Sequence, residues 1–286
     1  MSRSFRDRIV AIGLGVIAIG CSGSVLLILL WTASESLPAL KAVGLGQFLT
    51  DERWLPGSER EPQYGALPIL FGSVLVTAAA IIPATIIGLG AAIYGEYYSP
   101  KFLKTILHRS LELLAGIPSV VVGFWALIVL VPLIAQWAPP GQGLFAATIV
   151  LALMILPTVA LTSASSLAQV PSETRAAAKA LGLGRATQII KVYLPSSRAG
   201  ILGGVLLAAA RAVGETLAVV MVCGNIAQFP TSFFDPIRPV TAAIALEMGY
   251  ATSFHRSALF VLAFILVLAV IGLLGASKLG TGIRRR

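Results

Sequence analysis

Residues 171–182 read PSETRAAAKALG, and residues 192–195 read VYLP. The first of these stretches predicts a short helix with small apolar residues on one face and basic residues beside them. Pro171 suits the first turn of this helix, and Gly182 suits the left-handed conformation that ends it. A second short helix is expected to follow and to stop at Pro195. The whole segment therefore predicts a helical elbow, too polar to insert into a membrane, with an apolar face that a soluble partner protein could cover; an amphipathic helix lying on the lipid headgroups is the alternative.

The elbow lies between long apolar stretches. The chain of 286 residues is 57% hydrophobic and 12% charged, whereas soluble domains carry about 25% charged residues. A stretch of roughly 20 apolar residues is long enough to cross a bilayer as a helix. Six stretches meet this length, over residues 9–33, 66–93, 110–137, 144–168, 199–224 and 256–277. The sequence therefore predicts an all-α polytopic membrane protein with six transmembrane helices.

The distribution of Lys and Arg predicts the orientation, because cytoplasmic connections carry an excess of these residues. With the N-terminus inside, 15 of the 21 Lys and Arg residues fall in inner segments and 5 in outer segments. We therefore expect both termini and the elbow in the cytoplasm, and the net charge of +9 requires no nucleic acid partner. The N-terminus could also be a lipoprotein signal ending at Cys21, but its apolar run continues too far, so an uncleaved first span is expected.

The fifth predicted span contains two ionisable residues in the run RAVGET, residues 211–216. Arg211 lies 12 residues beyond Ala199, about 18 Å along a helix and near the bilayer centre. Arginine at that depth costs about 2.5–3.5 kcal/mol on insertion scales and usually marks a polar pathway. Glu215 is expected one turn further on the same face, where it would hold the guanidinium and moderate its field. The pair predicts a path for an anionic solute, since guanidinium binds phosphate or carboxylate oxygens; a structural pair between packed helices is the alternative.

The remaining polar residues in the spans carry fewer implications. Asn225, at the outer end of the fifth span, could line the same pathway or cap a helix. Four small residues at a spacing of four indicate that this span packs closely inside a bundle: Gly200, Gly204, Ala208 and Ala212. The sequence has no Ser/His/Asp or Cys/His set and no GxxxxGK[ST] motif, so we expect no catalytic residue, metal ligand or cofactor in this chain.

The elbow resembles the coupling motif of ABC importer permeases, in which an acidic-Ala-Ala stretch precedes Gly and, further on, an aliphatic-x-Leu-Pro sequence. The second half matches at Gly182, Val192, Leu194 and Pro195. In the first half, Ala176 stands where these permeases usually carry Glu, and Glu173 lies three residues earlier. The resemblance implies contact with a cytoplasmic ATPase through Glu173, Ala176, Ala177, Ala178, Gly182, Leu194 and Pro195.

Other segments are similar to the phosphate-specific ABC importer, and to its C-type permease in particular. These segments are WLP (54–56), YGALPILFGS (64–73), LAGIPSVVVGFW (114–125) and the run 211–216. The resemblance implies the type I ABC importer permease fold in a bacterial inner-membrane complex. The implied partners are a second homologous permease, two ATPase subunits, a periplasmic phosphate-binding protein and inorganic phosphate. Phosphate is then expected to pass near Arg211, Glu215, Thr216 and Asn225.

The implied organisation has three parts. Residues 1–65 form an N-terminal transmembrane helix and periplasmic loop, residues 66–278 form the permease core with a coupling helix at about 171–194, and residues 279–286 form a basic cytoplasmic tail. Two alternatives remain open from the residues themselves. One is import of another oxyanion such as molybdate, sulfate or phosphonate, and the other is a secondary transporter or channel that works alone.

Overall fold

The computed structural model describes residues 3–58 and 61–282, with side chains described for 10–58 and 61–277. The last four residues of the predicted basic tail lie outside the described residues. The first part of the chain contains α1 (Arg3–Val43), α2 (Leu45–Thr50), β1 (Trp54–Leu55), β2 (Gln63–Tyr64), α3 (Leu67–Ile93), α4 (Lys101–Gly116), α5 (Ser119–Trp125), α6 (Val131–Ala135) and α7 (Leu144–Ala168). The second part contains α8 (Ser172–Ala180), α9 (Arg185–Gln188), α10 (Leu194–Val213), α11 (Leu217–Val222), α12 (Val240–Glu247) and α13 (Ser253–Gly282).

Five helical stretches among the described residues are long and apolar enough to cross a membrane. They are Val10–Val43, Leu67–Tyr98, Leu144–Ala168, Arg185–Val213 and Ser253–Ser277. The pair formed by α4 and the stretch Ser119–Ala135 would supply a sixth crossing. The predicted all-α membrane architecture is confirmed, and the protein is a multi-pass membrane protein.

The third predicted span, residues 110–137, is not one straight helix. The chain bends by 91° between α4 and the stretch Ser119–Ala135. Pro118 precedes α5 with an extended backbone, since proline has no N–H to continue the helical ladder and its ring would clash with the preceding turn. The apolar run therefore contains two helices with different directions, which hydropathy alone does not distinguish.

The fifth predicted span, residues 199–224, is also broken. Helix α10 ends at Val213, and Gly214 and Thr216 separate it from α11. Glycine is a weak helix former, and the Thr241 hydroxyl donates a 2.7 Å hydrogen bond to the Glu215 carbonyl, which holds the break from outside. The prediction of a continuous helix through this region is wrong.

Helix α7 is the centre of the bundle, with two thirds of its apolar window buried by the rest of the chain. It packs against α3 on one side and α10 on another. Gly204 and Gly200 of α10 lie directly against Thr162 and Ser166 of α7, with no room for a β-carbon. The close packing predicted from the small residues of α10 is confirmed.

The segments predicted to lie on the outer side are folded rather than extended in their described residues. β1 pairs with β2 in a two-stranded antiparallel sheet, with Trp54 opposite Tyr64. Helix α12 packs against α13, α11 and α3 and buries most of its residues. The Ala39 N–H near the end of α1 donates to the Ser257 hydroxyl of α13 at 3.1 Å, which ties these two helices together.

Candidate functional site

The elbow is a helix–turn–helix anchored to the ends of the spans. Gly182 adopts φ +67°, the left-handed conformation predicted for it. Beyond it, α9 passes through a π-helical turn at Ile189–Tyr193 into α10 without stopping. The prediction that Pro195 ends a helix is therefore wrong, because Pro195 lies inside the continuous helical stretch Arg185–Val213, directly after the π-helical turn.

One side of the elbow is fixed to the protein core. Ala178, Ile189 and Tyr193 are buried in one apolar cluster. The ring of Tyr193 stacks on Tyr97, with ring centroids 5.1 Å apart. The Arg175 guanidinium donates 2.9 Å hydrogen bonds to the carbonyls of Leu167 and Ala168, where a cation also suits the C-terminal end of α7. These contacts fix the elbow to the C-terminal end of α7 and to the segment that follows α3.

The other side of the elbow is exposed. Of the residues expected to contact an ATPase, Glu173, Ala176, Ala177 and Gly182 are exposed, whereas Ala178 is 3% exposed. Leu194 is half-buried, and Pro195 is exposed one turn into α10. Two large apolar side chains extend the exposed surface, Leu181 at 76% and Ile190 at 63%. The residues predicted to contact an ATPase therefore fall into two groups. Most lie on the exposed surface of the elbow, whereas Ala178 lies on the side that packs into the protein.

Arg211 lies in the last turn of α10 and is exposed. Because the helix ends two residues later, Glu215 is not one turn further along the same face, and the expected ion pair is absent from the described residues. Glu215 Oε1 instead accepts a 3.2 Å hydrogen bond from the Thr216 N–H, while the Thr216 hydroxyl donates to the Gly214 carbonyl. The Glu215 carboxylate therefore forms its hydrogen bond at the break between α10 and α11. The Arg211 guanidinium has no partner among the described residues.

Asn225 caps the end of α11. It adopts φ +58°, a left-handed conformation that asparagine tolerates better than most residues. Its amide nitrogen donates to the Val220 carbonyl at 2.8 Å, and its own carbonyl accepts from Arg238 Nε at 2.7 Å. The sequence left open whether Asn225 lines the pathway or caps a helix. The contacts in the structure are those of a helix cap.

A buried carboxylate in the outer region was not identified from the sequence. Glu247, at the end of α12, accepts hydrogen bonds from Trp54 Nε1 at 2.8 Å and Arg238 Nη1 at 2.6 Å. His255 Nε2 lies 2.8 Å from Oε2, the oxygen that also accepts from Trp54, whereas Arg238 contacts Oε1. These residues join both outer segments and the start of α13, and the only sequence signal was one acidic residue in a mildly apolar run.

Two ionisable groups of the outer region have shifted pKa values. Hydrogen bonds from the Ser232 N–H, the Thr231 hydroxyl and the Thr231 N–H lower the pKa of Asp235. Burial raises the pKa of Tyr64. Among the described residues no group of three or more His, Cys, Asp or Glu side chains is placed to hold a metal ion.

Comparison with known proteins leads to the same assignment that the elbow and the spans indicate, an ABC importer permease. The family described as "Binding-protein-dependent transport system inner membrane component" matches residues 84–278. The probable ABC transporter permease protein YqgH of Bacillus subtilis is 40% identical, with 86% of this chain and 80% of that protein covered. The phosphate transport system permease protein PstC of Xylella fastidiosa is 32% identical over 90% of this chain and 83% of that protein. PstC of Mesorhizobium japonicum is 35% identical over 81% and 76%, respectively.

Solved structures show the same fold at low sequence identity. A chain of a bacterial ABC transporter that imports alginate superposes with a TM-score of 0.64 at 12% identity, covering 99% of this chain and 100% of that one. An inward-facing MetNI methionine ABC transporter chain gives a TM-score of 0.58 at 17% identity, covering 74% of this chain and 94% of that one. The expected ABC importer permease fold is confirmed.

Proposed function

Because the chain belongs to the family of inner-membrane components of binding-protein-dependent transport systems, we propose that it is a permease subunit of an ATP-driven importer of inorganic phosphate. Relatives named phosphate transport system permease proteins cover most of its length. The observation in the structure that carries the proposal is Arg211, an exposed guanidinium in the last turn of α10, beside the break in the predicted fifth span. The members of this family are transport subunits, so the chain is proposed to bind and pass its solute without any bond chemistry.

What Arg211 faces can be inferred from how α10 packs against its neighbours. Gly200 and Gly204 of α10 lie against α7, and Ala208 and Ala212 are buried in a cluster that includes residues of α7. On an ideal helix Arg211 projects within about 20° of Gly204, but its side chain is exposed, so the packing against α7 does not extend to it and this end of the face is left open. A guanidinium facing hydrocarbon would be costly, so this face is proposed to border water or another subunit. It would form half of a pathway, completed by a second homologous permease.

The broken helix supports passage of an anion. Guanidinium offers several fixed donors to phosphate oxygens, and Arg211 has no described carboxylate partner that would compete for them. A single guanidinium would attract the anion, whereas several donors arranged around the anion would hold it and prevent its release. Glu215 and Thr216 are proposed to shape the break beside Arg211, and Asn225 is proposed to hold the outer end of α11.

The elbow is proposed to couple this pathway to two cytoplasmic ATPase subunits. Its exposed face carries Ala176, Ala177 and Leu181, whose small or apolar side chains suit a cleft on a soluble protein. Its buried face is continuous with α10, which carries Arg211. Closure of the ATPase pair would therefore displace the helix that lines the path. A periplasmic phosphate-binding protein is proposed to deliver the solute from the other side.

The proposed location is the bacterial inner membrane, with both termini in the cytoplasm. This orientation follows from the excess of Lys and Arg in the segments on the side of the elbow. Cysteine accessibility provides a check, because a cysteine introduced at exposed Leu181 should react with an impermeant thiol reagent only from the cytoplasmic side. Reaction from the periplasmic side would reverse the topology.

Uptake of radioactive phosphate by the complete transporter, in cells that lack other phosphate importers, tests the proposal. Arg211→Ala should abolish uptake while the chain is still expressed and still co-purifies with its ATPase. Arg198→Ala is the matched control, since Arg198 is exposed near the start of the same helix, and it should transport normally. Normal uptake by Arg211→Ala would reduce Arg211 to a structural role.

A second variant tests the elbow independently of the solute. Ala177→Trp places a large ring on the exposed face and should leave ATP hydrolysis uncoupled from uptake, whereas Ala177→Ser should behave as the parent protein. Retention of both ATPase association and uptake in Ala177→Trp would refute the coupling role. Competition by molybdate, sulfate or a phosphonate then distinguishes phosphate from the other oxyanions, and uptake by the chain without any ATPase would indicate a transporter that works alone.

A further inference from the structure

A second polar site lies between α4 and the end of α7, far along the chain from Arg211. A cleft of about 890 Å³ opens there, lined on the α7 side by Leu161, Ala164, Ser165 and Ala168. The other wall is the polar face of α4 with the adjacent carboxylate of Glu96, and its residues are Glu96, Lys101, Lys104, Thr105, His108, Arg109 and Glu112. We call this feature the α4 cleft.

The charges of the α4 cleft leave cations available for an anion. Lys104 is paired with Glu96, with Nζ 2.7 Å from Oε1. Glu112 faces His108, with Oε1 3.5 Å from Nε2. Lys101 and Arg109 are exposed and have no ion pair within the part of the chain that the structure describes. The cleft therefore presents an ammonium and a guanidinium that no described carboxylate neutralises.

The position of the cleft matches the level of lipid headgroups. It is bordered by the end of the span Leu67–Tyr98 and by the last turns of the span Leu144–Ala168. Tyr94 and Tyr98 are each 47% exposed at the same end, and tyrosines are enriched where spans leave the hydrocarbon. The elbow lies at this end too, because Arg185 is 5.5 Å from the ring centroid of Tyr98.

Helix α4 also exposes an apolar stripe beside its cations. Phe102, Ile106 and Leu113 are 75%, 47% and 75% exposed, whereas Leu111 on another face packs into the protein. A basic amphipathic helix with an exposed apolar face is typical of one that lies in the membrane interface. The 91° bend after α4 is consistent with that placement, since α4 then runs across the direction of the following helices.

We propose that the α4 cleft binds the phosphate headgroup of an anionic phospholipid. Lys101 and Arg109 would hold the phosphate oxygens, and Phe102 and Ile106 would contact the start of an acyl chain. Basic pockets between transmembrane helices on the cytoplasmic side bind such headgroups. Free phosphate has the same charge chemistry as the headgroup, but it has no apolar part that could contact the neighbouring stripe. A lipid fits both the cations and the apolar stripe, so the lipid is the proposed occupant.

Lipid retention by the purified transporter complex tests the assignment. The complex is placed in nanodiscs of phosphatidylcholine with a minor fraction of phosphatidylglycerol, and lipids that remain bound are identified by native mass spectrometry. Each interfacial cation contributes about 1 kcal/mol. The double variant Lys101→Gln with Arg109→Gln should therefore bind phosphatidylglycerol about 30-fold more weakly at 1.4 kcal/mol per tenfold. Arg198→Gln, which removes an exposed cation outside the cleft, should bind as the parent protein does.

Three further results decide between the occupants. The charge-preserving exchange Lys101→Arg with Arg109→Lys should retain the lipid, which separates lost charge from misfolding. Equal retention of phosphatidylglycerol by the parent and the Gln double variant would overturn the proposal. Displacement of the lipid by millimolar inorganic phosphate, or loss of phosphate binding alone in the Gln variant, would also overturn it and assign the cleft to free phosphate.

Discussion

The buried carboxylate of Glu247 provides a quantitative test of how the outer region is held together. Its side chain is 4% exposed, and it receives contacts from Trp54, Arg238 and His255, which belong to separate parts of the chain. Glu247→Ala removes the carboxylate that contacts all three residues. The Arg238 guanidinium, the His255 imidazole and the Trp54 indole N–H then lose this partner. Breaking a buried ion pair in this way costs about 3–5 kcal/mol, because the remaining charge stays buried and unpaired.

The expected loss can be measured as a melting temperature. For a chain of this size, about 2–4 °C is lost for each kcal/mol, so Glu247→Ala should melt roughly 6–20 °C lower than the parent protein when circular dichroism is followed in detergent. Glu112→Ala is the control, since Glu112 also faces a histidine but is 58% exposed. An exposed pair contributes about 0–1 kcal/mol, so this control should melt within about 4 °C of the parent.

A third variant identifies the origin of the loss. Arg238→Met combined with Glu247→Met removes both charges and fills their volume, and apolar replacement of a buried pair is often neutral or stabilising. The double variant should therefore melt above Glu247→Ala. A melting temperature for Glu247→Ala equal to that of the Glu112→Ala control would refute the reasoning, because it would mean that the carboxylate is not a buried junction.

Two further predictions concern other parts of the fold. Gly204→Ala should lower stability by about 1–3 kcal/mol, since overpacking of a close contact is costly and its β-carbon would overlap Thr162. Gly90→Ala meets no atom within 4 Å and should raise stability by up to about 1 kcal/mol through helix propensity; the two unfolding midpoints should move in opposite directions. Because Asp235 has a pKa below its usual value in the fold, its contribution is present above the unfolded pKa of about 3.9 and is lost as the pH falls through the folded pKa. The stability difference between the parent and Asp235→Asn should thus persist at pH 4 and disappear in stronger acid, and a difference that grows on acidification would contradict it.

Local sequence information located the elbow, but it did not predict how the elbow continues. Gly182 has the left-handed conformation expected of a glycine after a short helix. Pro195 was expected to stop the next helix, and the π-helical turn before it allows the chain to continue into α10. A proline has the same local preferences at the start of a helix as just beyond its end, so its neighbours in space decide between them.

For the candidate pathway, the structure changes the surroundings that the sequence predicted for Arg211. The cost of an ionisable group in an apolar run identified Arg211 without any structure. The pairing with Glu215 was wrong, because Gly214 and the hydrogen bond from Thr241 end the helix between the two residues. Thr241 is 26 residues further along the chain, and no helical spacing rule includes a contact at that separation.

Composition and the lengths of the apolar stretches were enough to predict that this protein is helical and spans a membrane several times. Transfer of apolar side chains and satisfaction of backbone hydrogen bonds depend on each segment alone, so composition and length suffice for them. Tertiary structure decided where the spans bend, that Arg211 lacks a described partner, and that Glu247 joins Trp54, Arg238 and His255. Those features depend on side chains brought together from distant segments, because a polar group inside a fold must find its partner among whatever residues packing places beside it.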